Sequence, residues 1–88
     1  MLVGTNWYDS MFDPLPSGEL VITPNADIAG GHEYQAFGVN AKRKRVRCYQ
    51  SWGPDWGKRG TFWLSFDTLG RLLDEAGDVA VPIVDRAA

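Results

Sequence analysis

Turn-forming residues interrupt this 88-residue chain along its whole length, and their spacing limits what it can fold into. Ten glycines and five prolines, together with asparagine and aspartate, separate short segments in which apolar and polar residues alternate. This rhythm favours short strands joined by loops over a helical bundle. We therefore predict an α+β fold, mostly antiparallel β, in a single domain that spans residues 1–88.

The alternation of apolar and polar residues places the strands. We expect extended segments at residues 3–7, 19–23, 32–39, 45–50, 61–66 and 79–84. In the fourth of these, Val46, Cys48 and Gln50 alternate with Arg45, Arg47 and Tyr49, which is typical of a strand with one buried face. Pro82 favours an edge position for the last strand, because proline donates no backbone hydrogen bond.

Loops and one short helix connect these strands. We expect loops at residues 8–17, 24–27, 30–31, 40–44 and 51–60, where glycine, proline or asparagine is frequent. Leu69, Leu72 and Leu73 have the spacing of a helix face, with Ser65 or Asp67 as N-cap and a glycine, Gly77, at the end. The helix is expected to have two to three turns.

The size and the cysteine content of the chain exclude several kinds of stabilising or functional site. A domain of this length builds one small core, and its net stability is expected to be a few kcal/mol. A disulfide is excluded because Cys48 is the only cysteine, and one cysteine with one histidine does not make a zinc site. No metal and no cofactor is predicted. No apolar run is long enough to span a bilayer, and residues 1–6 lack the features of a secretory signal.

Five of the nine basic residues lie within six positions of each other: Lys42, Arg43, Lys44, Arg45 and Arg47. The rest of the chain has four basic and eleven acidic residues, a formal charge of −7. A basic patch on an acidic body is a candidate site for phosphate or another anionic partner. The alternative, which we favour here, is a solvated hairpin turn, since no exposed stacking aromatic is expected within the run.

A second pattern surrounds the single histidine. Gly30, Gly31 and His32 precede a strand, a turn and another strand, followed by the segment Gln50-Ser51-Trp52-Gly53, then Trp56-Gly57 and Gly60. This order and spacing resemble the C-terminal half of a papain-like cysteine peptidase over residues 3–83. The Gly-Gly-His-Glu-Tyr variant is most similar to phage-encoded members. The resemblance implies half of a papain-like fold, a partly open, barrel-like antiparallel sheet with one short C-terminal helix.

The resemblance also assigns roles. His32 occupies the position of the catalytic base and Gln50 that of the amide that orients it, where the family has asparagine. Trp52, with Gly31, Ser51 and Gly53, would support the site. The half that carries the family's nucleophilic cysteine has no counterpart in these residues. Cys48 is not expected to replace it, because it lies on a strand with no helix N-terminus to lower its pKa.

Three functions are compatible with this sequence. The first is a non-catalytic module that meets another protein chain, in a homo- or hetero-oligomer, through the face that would pack against the absent half. The second is the histidine-bearing half of a split cysteine peptidase, inactive alone. The third is an anion or nucleic-acid binder that uses residues 42–47. We expect the host cytoplasm or a virion as the location, and no membrane partner.

Overall fold

The computed structural model describes residues 1–53, 55–75 and 77–80. It has five strands, β1 (Leu2–Tyr8), β2 (Ile28–Asn40), β3 (Arg45–Tyr49), β4 (Thr61–Ser65) and β5 (Asp78–Ala80), and one α-helix, α1 (Phe66–Asp74). A single 3₁₀ turn at Asp9–Phe12 follows β1. The strands form one antiparallel sheet in the order β4-β3-β2-β1-β5. The predicted α+β class, mostly antiparallel β with one short helix, is confirmed.

The inner face of this sheet carries the core. Side chains that alternate along β1, β2, β3 and β4 are buried there, and one leucine of α1 packs against them: Val3, Trp7, Tyr34, Ala36, Val46, Cys48, Phe62, Leu64 and Leu72. The outer face of β3 and β4 carries Arg45, Arg47, Tyr49, Thr61 and Trp63. The predicted alternation in β3 is therefore confirmed.

Two sequence-based predictions about loops and strands are wrong. Gly30 and Gly31 lie within β2 rather than in a loop, because they pair with Trp7 and Asn6 of β1. The segment 19–23 is not a strand: only Glu19 forms a bridge, to Trp63, and this bridge is isolated. The segment is instead held by one backbone hydrogen bond to β4, from the Leu20 N–H to the Trp63 carbonyl at 2.9 Å, and by the buried side chain of Leu20.

The helix begins and ends close to where its sequence signals lie. Ser65 is the N-cap, and its Oγ accepts a hydrogen bond from the Thr68 backbone at 3.1 Å. Phe66, predicted as the last residue of a strand, is instead the first residue of α1, and the Gly77 backbone N–H donates to the Leu73 carbonyl after its end.

The last strand, β5, lies at a sheet edge beside β1, as predicted. It begins at Asp78, one residue before the predicted start. The remainder of the predicted strand, residues 81–84 with Pro82, lies outside the described residues. No helix in the described part of the chain is long and apolar enough to cross a membrane.

Candidate functional site

His32 and Gln50 lie side by side although eighteen residues separate them. His32 is in β2, paired with Thr5 of β1, and Gln50 directly follows the neighbouring strand β3. The His32 Nε2 is 2.5 Å from the Gln50 Oε1. An amide oxygen only accepts hydrogen bonds, so Nε2 carries the proton and donates it. The neutral ring then has a lone pair on Nδ1, the nitrogen on which a general base acts.

Gln50 is held firmly in this position. Its side chain is only 3% exposed, and its backbone N–H donates to the Gly60 carbonyl at 3.3 Å. The longer side chain, compared with the asparagine of the papain-like family, still reaches the imidazole. The Gln50 amide nitrogen is buried and has no hydrogen-bond partner among the described residues. Within those residues, the side chain of Gln50 therefore forms its hydrogen bond only through Oε1, with His32.

Aromatic rings enclose one side of the imidazole. The Trp7 ring meets it edge-on at a centroid distance of 4.8 Å, and the Trp52 ring lies at 5.0 Å. Trp52 in turn stacks on Phe12, with centroids 5.6 Å apart and an interplanar angle of 9°. Trp7 is buried, whereas Trp52 and Phe12 are 39% and 45% exposed. Close apolar cover of this kind excludes water from the histidine–amide hydrogen bond and strengthens it.

Sequence reasoning missed two members of this cluster. It treated Trp7 as core and gave Phe12 no role. The alternation of β1 could have placed Trp7 on the same face as Thr5, the cross-strand neighbour of His32. Phe12 lies in the 3₁₀ turn, where no alternation of apolar and polar residues could have predicted its position. Its place beside Trp52 depends on two loops that are far apart in sequence.

His32 and Gly31 line two depressions. The smaller, of about 120 Å³, is apolar and is lined by Trp7, Phe12, Ala29, Gly30, Gly31, His32 and Trp52. The larger, of about 590 Å³, is open and polar and is lined by Gly4, Thr5, Asn6, Gly31, His32, Glu33, Glu75 and Asp78. A Cβ at Gly30 or Gly31 would meet nothing within 4 Å. These glycines therefore leave space beside the imidazole.

The larger depression has an acidic wall. The Tyr8 hydroxyl donates to the Glu75 Oε2 at 2.7 Å, and this hydrogen bond is the main cause of the lowered pKa of the Glu75 carboxyl. Arg71 adds to the effect through its contact with the same oxygen at 3.4 Å. Glu75 thus stays ionised near neutral pH, in the wall of a depression that His32 also lines.

The loop after Gln50 carries the supporting residues predicted from the sequence. Trp52 contacts the imidazole, whereas Ser51 is exposed. Gly53 has a φ of +94°, a conformation that glycine adopts without strain, and its carbonyl accepts a hydrogen bond from the Trp56 backbone. The contribution of Gly53 is therefore to the path of the loop that places Trp52.

Cys48 has none of the properties of a nucleophile. Its side chain is fully buried on the inner face, opposite Ala36 and Phe62. Burial raises the pKa of its thiol to about 12, because the anionic thiolate would lose its hydration. The reactive form is thus almost absent near neutral pH.

The basic run is divided between a turn and a strand. Lys42, Arg43 and Lys44 are exposed in the turn between β2 and β3, where the Arg43 backbone N–H donates to the Asn40 side chain at 3.1 Å. Arg45 and Arg47 lie on the outer face of β3, away from His32. No aromatic residue lies within the run itself, but both guanidinium groups lie over the ring of Trp63, which comes from the neighbouring strand β4. Within the described residues, no group of three or more histidine, cysteine or acidic side chains is placed to hold a metal ion.

Comparison with known proteins gives one informative similarity. No protein-family model and no curated protein matches the sequence. Among solved structures, the chain is similar to xylellain, a cysteine protease from Xylella fastidiosa, with a TM-score of 0.60 and 27% sequence identity. The similarity covers 75% of this chain but only 25% of xylellain, so the chain spans about a quarter of the length of that protein. The sheet and helix described above thus form part of a papain-like cysteine protease fold.

Proposed function

We propose that this chain is a protein-interaction module built on a papain-like half-domain, without catalytic activity of its own. The observation that carries the proposal is the exposed aromatic surface beside His32, formed by Phe12 and Trp52. These side chains are 45% and 39% exposed. Rings that stack on each other at a surface, next to an apolar depression, are typical of a site that another protein covers.

The buried cysteine supports the absence of independent catalysis. A thiol with a pKa of about 12 in the core cannot attack a peptide, and it is the only thiol in the 88 residues. The partner is therefore another protein chain, identical or different, that packs on the surface around His32. We place this module in an assembly such as a phage particle, in the virion or the host cytoplasm, on the strength of the Gly-Gly-His-Glu-Tyr resemblance.

A second candidate function is favoured by a specific observation, the hydrogen bond from His32 to Gln50. That bond leaves Nδ1 as a lone-pair acceptor beside an open surface. If a separate chain brings a cysteine there, its thiol proton moves to Nδ1 and leaves a thiolate–imidazolium pair, with Gln50 holding the ring. The thiolate attacks the carbonyl carbon, and the imidazolium returns the proton to the leaving amine.

Site-specific photo-cross-linking in the assembled state tests the module. A photoreactive phenylalanine analogue replaces Phe12 at the proposed surface, and in a matched control it replaces Val39, which is 68% exposed elsewhere on β2. We expect a cross-link to a second protein chain, identical or different, from position 12 and not from position 39. Absence of a cross-link at position 12, or equal cross-linking at both positions, contradicts the proposal.

A thiol-directed peptidase probe then separates the two candidates. Labelling of the cross-linked partner that disappears with His32→Ala supports the split peptidase, whereas an intact complex that takes up no probe supports the non-catalytic module. Peptide cleavage by the purified chain alone, abolished by Cys48→Ser, would overturn both.

A further inference from the structure

The outer face of the sheet carries a continuous row of cations and rings. The Arg45 guanidinium lies 4.0 Å from the centroid of the Trp63 ring, and that of Arg47 lies 5.4 Å from the same ring. The Arg47 guanidinium also lies 5.9 Å from the Phe37 ring of the neighbouring strand and donates to the Thr61 hydroxyl at 3.3 Å. These contacts hold the two arginines flat against β3 and β4. We call this row, with Tyr49 at its end, the arginine–aromatic face.

This face is positively charged and unneutralised. Strands β3 and β4 contain no acidic residue, and the nearest acidic residue paired with them is Glu19, which bridges to Trp63 through the backbone. Among the described residues the one ion pair is between Arg71 and Glu75, at the other edge of the sheet. The turn that joins β2 to β3 adds Lys42, Arg43 and Lys44. Among the described residues, none of these five cations forms an ion pair with a carboxylate.

The rings of this face are partly open to solvent. Phe37 is 56% exposed and Tyr49 is 46% exposed. Exposed rings next to arginines on a sheet match the chemistry by which proteins bind single-stranded nucleic acid, since the cations bind phosphates while unpaired bases stack on the rings. In a duplex the bases are paired and stacked inside the helix, so they cannot stack on the exposed rings of this face. An acidic protein surface would match the charge but would not use the rings in this way.

We propose that the arginine–aromatic face, together with the turn 42–44, binds single-stranded nucleic acid without sequence specificity. The face lies on the side of the sheet opposite His32, because Arg47 and Tyr49 alternate with Cys48 and Gln50 along the chain. The proposal therefore does not depend on the interaction module or the split peptidase, and its test has a separate readout.

The test is fluorescence anisotropy of a labelled oligodeoxythymidine of about 16 nucleotides, the upper end of the site size of one small binding domain. Contact with five phosphates predicts that log K falls against log salt with a slope of about −3.5. In Lys42→Gln/Arg43→Gln, which changes two exposed turn residues and leaves the sheet intact, the slope is expected to become about −2.1. The control Arg71→Gln removes a charge at the other edge of the sheet and should keep the original slope.

A third variant isolates the rings. Phe37→Ala removes an exposed ring without changing the charge, so binding should weaken about tenfold while the salt slope stays the same. Tight binding of a duplex of the same length, equal to that of the single strand, would contradict base stacking on this face.

Three other results would overturn the proposal. The first is no binding at protein concentrations up to about 10⁻⁴ M at low salt, the weak end of non-specific affinity. The second is a control variant that loses as much of the salt dependence as the turn variant does. The third is a cross-link from a photoreactive residue at position 37 to a protein in the assembled state, together with no oligonucleotide binding, which would assign the face to a protein partner.

Discussion

The two faces of the sheet both present aromatic rings, but the rings have different neighbours. On the inner face Phe62 meets the rings of Trp7, Tyr34 and Trp56 at centroid distances of 5.5–5.8 Å, in edge-to-face arrangements. On the outer face the ring of Trp63, the next residue, is covered by two guanidinium groups. Ring-on-ring packing excludes water, whereas ring-on-cation packing keeps charge at the surface.

This difference underlies the two sites proposed above, one on each face of the sheet. A shift of one residue along a strand reverses the face, so β3 contributes Cys48 to the core while its neighbours Arg47 and Tyr49 face outward. The aromatic rings of the inner face pack in the core and, at one end of the sheet, against His32. The outer face contributes little to the core, and its side chains are free for an anionic partner.

Removing one phenylalanine from each face should show the largest contrast. Phe62→Ala empties the centre of the core and should cost about 3–5 kcal/mol, most of the stability of a domain of this size. Phe37→Ala removes only an exposed ring and a distant cation contact, and should cost less than about 1 kcal/mol. Urea unfolding followed by tryptophan fluorescence measures both. Equal losses would mean that the outer face is structural.

Alkaline pH should lower the free energy of unfolding through two buried groups of the inner face. Burial raises the pKa of the Cys48 thiol and of the Tyr34 hydroxyl, each to about 12, from their usual values of 9.0 and 10.0. Both groups stay protonated in the folded chain while the unfolded chain loses their protons, so the stability is full below pH 9 and falls between pH 9 and 12. Each group contributes a slope of up to about 1.4 kcal/mol per pH unit.

Replacement of the thiol separates the two contributions. Cys48→Ala removes the first of the two titrations, so the decline in the free energy of unfolding should begin nearer pH 10, from a lower starting stability. Urea unfolding at a series of pH values measures this shift. A variant whose stability falls from pH 9 with the same slope as the unmodified chain would show that the thiol is not responsible.

The alternation of apolar residues was sufficient to predict most of the sheet. In β3 the alternation assigned Val46 and Cys48 to one face, and both are buried, because the period of two is unbroken there. The prediction failed at Gly30 and Gly31, where local turn preference indicated a loop but pairing with β1 extends the strand. It also failed at residues 19–23, whose local pattern is that of a strand although only one isolated bridge forms.

The candidate site was predictable to the extent that it depends on motif spacing. His32, Gln50 and Trp52 are brought together as the resemblance implied. The stacking of Phe12 on Trp52, and of two arginines on Trp63, could not be read from the sequence, because such contacts depend on loop paths and side-chain rotamers. The rings that border the basic run come from β2 and β4, so a search within the run itself could not find them.

The smallest expected effect concerns the hydrogen bond between His32 and Gln50. Gln50→Ala removes the acceptor of the His32 Nε2 proton and leaves a cavity in a region where apolar rings exclude water. We expect the Nε2–H signal, protected from exchange in the unmodified chain, to disappear from the nitrogen–proton NMR spectrum, with the fold retained. Gln50→Glu keeps an acceptor at the same reach and should preserve the signal. Retention of the signal in Gln50→Ala would indicate that general packing protects the proton, and it would contradict the role of Gln50 as the orienting partner of His32.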